Sequence, residues 1–135
     1  MSKLMSTNYT TGAFNFATVL LRLTFGVLMI NHGYQKLMHF SAIKPKFMSI
    51  FGIGQGPTLG LVIFAEVICA ALVVIGLFTR FAAIPVIIVL CVALFSAHKG
   101  LIFGEGEMAA LFLGGYLAIL IVGPGKISVD GMTGN

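Results

Sequence analysis

The chain has 135 residues, of which 59% are hydrophobic and 9% are charged, with a mean hydropathy of +1.07 and a formal net charge of +4. Soluble domains carry about 25% charged residues, so this composition excludes an ordinary soluble protein and indicates an integral membrane protein with the lipid bilayer as its first partner. The basic residues form no block, which argues against nucleic acid as a partner and leaves anchoring at the membrane surface as their role.

Long apolar runs predict membrane-spanning helices, because about 20 helical residues cross the hydrocarbon core of a bilayer. The expected spans are residues 14–37, 57–78, 81–98 and 106–123. They predict an all-α fold with one domain over residues 1–135, built as a four-transmembrane-helix up-down bundle. Lysine and arginine are balanced between the two sides, so the charge pattern leaves the orientation open.

The first span places its charged and small residues on one face. At 100° per residue, five positions fall within about 40° of one line, and His32 lies on its edge. They are Arg22, Gly26, Met29, Gly33 and Lys36. Such a face points into a bundle, since glycine allows helices to approach and polar groups avoid lipid. The alternatives are that His32 bonds a backbone carbonyl and that Lys36 extends to the interface, which is the preferred interpretation for Lys36 alone.

The second span contains one carboxylate, Glu66, inside an almost unbroken apolar run. An ionised group at that depth costs about 2.5 to 3.5 kcal/mol, so we expect a polar partner or a wet cavity. Glu66 is either a functional group or a protonated or paired structural one. Arg22 is expected to point toward Glu66 or to extend toward the face that holds the chain ends.

The remaining segments give weaker signals. The loop at 39–55 is expected to lie on the membrane surface, where its apolar residues can form a short interfacial helix. Gly114 and Ala118 lie four apart in the fourth span, and together with Gly26 and Gly33 they are expected at helix contacts. The sequence GPG from Gly123 stops the last helix and leaves a polar tail.

The polar groups converge on the half of the membrane nearest the long loop. The candidates for ligand binding come from all four spans, with Arg22 added although it lies deeper, and catalytic residues are left unassigned. They are His32, Lys36, Glu66, His98, Glu107 and Arg22. Convergence of this kind indicates a small-molecule pocket between helices or a structural hydrogen-bond network.

The spacing of these groups does not favour a metal site, because no Glu-x-x-His pair or other close ligand set occurs. Cys69 and Cys91 lie at similar expected depths without a CxxC motif. They can be neighbours, but filling apolar space is the preferred interpretation.

From Arg22 to Asp130 the chain resembles the DoxX family of small bacterial four-helix membrane proteins. The matching stretches are RLTFGVLMINHGYQKL, AEVICAALVVIGLFTR, GEMAAL and GPGKISVD, together with His98 at the end of the third span. Lys126 and Val129 depart from the arginine and leucine more usual in the family's final motif. The resemblance carries over Arg22, His32, Gly33, Lys36, Glu66, Arg80, His98, Glu107 and Asp130.

The resemblance implies a multi-pass protein of the bacterial inner membrane, associated with quinone-linked redox systems. The expected function is a membrane-embedded subunit that binds a quinone or a small sulfur compound in an intramembrane polar pocket. Because the chain carries no flavin, nicotinamide, haem-attachment or iron–sulfur motif, any oxidoreductase activity would depend on a partner subunit. The alternative is a non-catalytic small-solute carrier, active as a homo-oligomer, or an assembly partner of a larger complex.

Overall fold

The computed structural model describes residues 5–46, 52–97 and 106–133. Within these ranges the chain forms six α-helices and no strand. The helices are α1 (Thr11–Met38), α2 (Phe40–Ile43), α3 (Gln55–Ile75), α4 (Thr79–Val92), α5 (Glu107–Val122) and α6 (Val129–Met132). A short 3-10 turn, Lys44–Lys46, follows α2, and π-helical turns occur at Ala65–Cys69 inside α3 and at Ala93–Ala97 after α4.

The expected all-α fold is confirmed for the described residues. By length and composition, α1 with 28 residues and α3 with 21 residues can each cross a membrane. The helices α4 and α5 are also apolar but shorter. Four membrane crossings therefore stay a prediction, and the interfacial helix expected around residues 47–51 lies outside the described residues.

Helix ends follow local chemistry. Thr10 caps α1, because its hydroxyl oxygen accepts a hydrogen bond from the backbone N–H of Ala13 at 3.0 Å. At the C-terminal end of α3, Gly76 adopts a left-handed conformation with φ of 77°, and its N–H donates to the carbonyl oxygen of Leu72 at 2.9 Å. A glycine suits this position because it has no Cβ to oppose the conformation. The resulting turn leads directly into α4.

The four longest helices pack in a ring around one core. Helix α1 contacts α3 and α5, and α4 contacts the same two helices from the other side. The core includes Met29 of α1, Val73 of α3, Val86 of α4 and Tyr116 of α5. Each helix thus buries one face against two neighbours, and its remaining surface stays apolar and exposed.

Glycine contacts between helices are confirmed at two of the expected positions. A Cβ at Gly26 would collide with Val74, and a Cβ at Gly33 would lie 2.8 Å from the Cβ of Glu66. The prediction for Gly114 is wrong, since a Cβ there would meet nothing within 4 Å, and its neighbour Gly115 packs against Phe25 instead. Helix α5 is apolar on all sides, so the small-residue spacing could not identify the packed face.

The segment after α5 folds back onto the α3–α4 turn and is more than a polar tail. Its N–H at Asp130 donates to the carbonyl oxygen of Gly76 at 2.9 Å. Ser128 caps the short helix α6, with its hydroxyl accepting from the N–H of Gly131 at 2.9 Å. Helix α6 and the α3–α4 turn therefore close one end of the bundle, which we call the terminal face.

Candidate functional site

The candidate site is built around Glu66, which lies in the π-helical turn of α3. Its side chain is only 5% exposed. A π-helical turn inside an α-helix is uncommon and occurs often at functional sites. The Glu66 carboxylate therefore lies in an irregular helical turn and is buried where an ionised group needs a polar partner.

Lys36 of α1 provides that compensation. Its ammonium nitrogen lies 2.9 Å from Oε1 and 2.8 Å from Oε2 of Glu66. Gly33, one turn earlier on the same face of α1, lets the two helices approach closely enough for this contact. Lys36 thus binds the buried carboxylate. The interpretation preferred from the sequence was that Lys36 only extends to the interface, and the structure differs from it.

The ion pair leaves one donor available. An ammonium group has three N–H donors, and the two oxygens of Glu66 take two of them. Among the described residues the third has no recorded partner. The side chain of Lys36 is 30% exposed, so the donor is accessible from outside the core. The pair is closed toward the protein interior and open on the lysine side.

His32 lies one helical turn before Lys36 on α1, and its ring meets the edge of Phe112 with centroids 5.4 Å apart and planes at 90°. Within the described part of the chain its ring nitrogens have no recorded hydrogen bond. In the described part of the chain, the group that is hydrogen-bonded to Glu66 is Lys36 and not His32. A lysine side chain is long enough to reach a carboxylate that a depth estimate places farther down.

An aromatic cluster joins His32 to the core. Phe112 also packs edge-on against Phe25, with ring centroids 5.8 Å apart. The hydroxyl of Tyr116 donates to the carbonyl oxygen of Phe25 at 3.1 Å, and its ring is fully buried. This cluster fixes α5 against α1 beside the ion pair and supplies an apolar wall.

Glu107 does not join the ion pair and is exposed in the first turn of α5. Another candidate, His98, lies outside the described residues. Among the residues that are described, no three histidine, cysteine, aspartate or glutamate side chains form a group that could hold a metal ion. Cys69 and Cys91 are both free thiols, Cys69 in the core and Cys91 half-buried.

Arg22 belongs to the opposite end of the fold. Its Nη1 donates to the carbonyl oxygen of Val74 at 2.9 Å and its Nη2 to that of Ile127. It therefore extends toward the terminal face and not toward Glu66, so the second of the two expected positions is the observed one. Arg22 is nevertheless buried, with 3% of its surface exposed. At about 1.5 Å per residue, it lies about 21 Å from Lys36 along α1.

A second polar cluster, which the sequence patterns did not indicate, surrounds Asp130 on that terminal face. Its Oδ1 accepts from the N–H of Phe78 and its Oδ2 from the N–H of Thr79, both at 3.0 Å. The Thr79 hydroxyl adds a bond of 3.2 Å. Burial acts to raise the pKa of Asp130, but these hydrogen bonds and the charge of Arg22 together lower the pKa below its ordinary value.

The only signal for this cluster was the resemblance, which matched Arg22, Arg80 and Asp130 without pairing them. Arg80 binds the carbonyl oxygen of Ile121 at 3.3 Å at the end of α5. All three side chains bind backbone carbonyls or N–H groups, and Asp130 also accepts from the Thr79 hydroxyl. The cluster holds the helix ends together, and its role is therefore structural.

Comparison with known proteins gives one match. A family model described as DoxX matches residues 17–99. This stretch, more than half of the chain, includes the ion pair and His32, and it ends before Glu107 and Asp130. No curated protein and no solved structure matches the chain.

Proposed function

The chain belongs to the DoxX family, and we propose that it is a multi-pass protein of the bacterial inner membrane that crosses the bilayer four times. The two long apolar helices and the family support a membrane protein. The large side chains on the outer faces of all four long helices are apolar and suit contact with lipid chains. Examples are Leu20, Val27, Leu61, Ile88 and Ile121.

Within this bundle, we propose that Lys36, Glu66 and His32 bind a small molecule in a quinone-linked redox system, with the chain as a subunit that depends on an oxidoreductase partner. One observation supports this most: a buried carboxylate is held by a partly exposed lysine whose third N–H has no partner among the described residues. Ionisable groups at such depth mark ligand or proton sites by default, since they are costly to maintain.

The donors favour a ligand that carries a carbonyl oxygen on an apolar ring. His32 and Lys36 are four residues apart on one helix face, so their backbones are about 6 Å apart along the axis. Lys36 is a donor, and a neutral imidazole can donate from one ring nitrogen. A quinone carbonyl oxygen can accept from either group while the ring lies near Phe112.

The test is a titration of purified protein in lipid nanodiscs with a soluble quinone analogue, followed by thermal unfolding. A specific site should give a saturable rise in stability, about 2.7 kcal/mol when the free ligand is 100 times its Kd. We expect Lys36→Gln and His32→Gln to lose the rise. The matched controls, Lys44→Gln and His39→Gln, change an exposed lysine and an exposed histidine and should keep it.

The result also separates the two classes of function. A ligand-induced rise that survives both site substitutions would place binding elsewhere and contradict the proposed site. If no analogue produces any saturable change in the parent, the alternative of a non-catalytic carrier or assembly partner takes precedence.

A further inference from the structure

We infer that the Lys36–Glu66 pair makes the proposed site electrically neutral, so that it admits a neutral ligand, or an anion only together with a proton that Glu66 accepts. This inference rests on the proposed function and adds the chemical class of the ligand. That class is a net neutral molecule, which includes a weak acid with an ionisable hydroxyl or thiol group when it binds together with its proton.

The charge balance follows from the groups around the pair. An ionised lysine and an ionised glutamate in contact cancel each other. Apart from Arg22, the other titratable side chains that are at least partly buried on the four packed helices are His32 of α1, Cys69 of α3, Cys91 of α4 and Tyr116 of α5. Among the described residues none of them is hydrogen-bonded to the pair.

Other ionised side chains of the described residues do not change this balance. Arg22 is at the opposite end of α1, bound to carbonyl oxygens. Glu107 is exposed, where solvent or lipid headgroups can screen it. Among the described residues, the sum of charges at the pair is therefore zero before a ligand arrives.

An added anion would leave one negative charge uncompensated in a region of low dielectric, which is strongly unfavourable. Protonation of Glu66 removes that charge. The anion then takes the ammonium of Lys36 as its counter-ion, and the carboxyl group of Glu66 holds one proton from solution. The same final state forms when the neutral acid enters and passes its proton to Glu66. No electrons move in either route.

The proposed probes are a hydroxynaphthoquinone, which is an anion at neutral pH, and its methyl ether, which is neutral. Calorimetric titrations in buffers of different ionisation enthalpy measure the protons exchanged on binding. For the parent protein in nanodiscs, we expect uptake of about one proton with the anion and none with the ether. Over the pH range in which Glu66 is ionised, the affinity for the anion should fall about tenfold per unit rise in pH, while that for the ether stays constant.

Glu66→Gln provides the sharper comparison, because the site then carries the positive charge of Lys36 alone. This variant should bind the anion without proton uptake and at least about tenfold more tightly than the parent at neutral pH. Retained binding of the ether shows that the variant is folded. Glu107→Gln, the matched change at an exposed carboxylate, should behave like the parent.

The outcomes distinguish the two proposals. Binding of the anion to the parent without proton uptake and with no dependence on pH overturns the inference while the proposed function stands. Failure of both probes to bind the parent overturns the proposed quinone site and the inference with it. If Glu66→Gln does not fold, the pH series on the parent alone decides.

Discussion

Removing one member of the Lys36–Glu66 pair should cost far more than removing both. In Lys36→Met the buried carboxylate of Glu66 loses both hydrogen bonds, at 2.8 and 2.9 Å, and must stay charged without a partner or take up a proton. Breaking buried pairs costs about 3 to 5 kcal/mol. Because Lys36 is 30% exposed, we expect the lower end, about 3 kcal/mol.

The double variant, Lys36→Met with Glu66→Met, replaces the pair by apolar side chains of similar length. Such replacements are often neutral, so its stability should lie within about 1 kcal/mol of the parent. The assay is reversible unfolding by sodium dodecyl sulfate in mixed micelles. The coupling energy from the double-mutant cycle, which also includes Glu66→Met alone, should be at least about 2 kcal/mol.

The control cycle combines Lys36→Met with Glu107→Met, an exposed carboxylate on α5 that does not contact Lys36. Its two effects should add to within about 0.5 kcal/mol. If the Lys36–Glu66 cycle is equally additive, the observed ion pair contributes nothing to the fold and the electrostatic reasoning for the site is refuted.

Two further predictions concern packing and acidity. Gly115→Ala should destabilise the fold by about 1 to 3 kcal/mol, since its Cβ would collide with Phe25. Gly114→Ala adds a Cβ on the open side of α5 and should stabilise the fold slightly or leave it unchanged. Equal effects of the two substitutions in the same unfolding assay would mean that α5 is rotated. The lowered pKa of Asp130 means that its contribution to stability is present above the ordinary carboxyl pKa of about 3.9 and is lost as pH falls through the lowered value. Asp130→Asn should therefore be less stable than the parent at neutral pH and should lose that part of the acid dependence, and identical pH profiles for the two proteins would contradict the assignment.

The sequence allowed the all-α fold to be predicted, and also a polar partner for Glu66, because a carboxylate in an apolar run is conspicuous. The partner of Glu66 could not be chosen in the same way. His32 and Lys36 share one region of α1, and only the close approach at Gly33 and the length of the lysine side chain decide between them. Hydrophobic periodicity was uninformative in α5, where Gly114 and Gly115 have equally apolar surroundings.

The terminal face was beyond sequence reasoning for another reason. Arg22 binds the carbonyl oxygens of Val74 and Ile127, and backbone groups leave no mark on the sequence. Asp130 lies in a polar, non-periodic segment, so nothing indicated that it would cap α4. Its position in a family motif was visible, but the reason for that position required the fold.

The contact between Arg22 and Ile127 also sets an order for assembly. The two residues are separated by 105 positions, and at about 5 to 20 residues per second a ribosome needs about 5 to 20 s to travel between them. Helix α1 thus enters the membrane well before one of the acceptors of its buried guanidinium has been made. Helix α1 reaches its final state only after Ile127 has been synthesised, so closure of the terminal face follows the insertion of α1 during biogenesis.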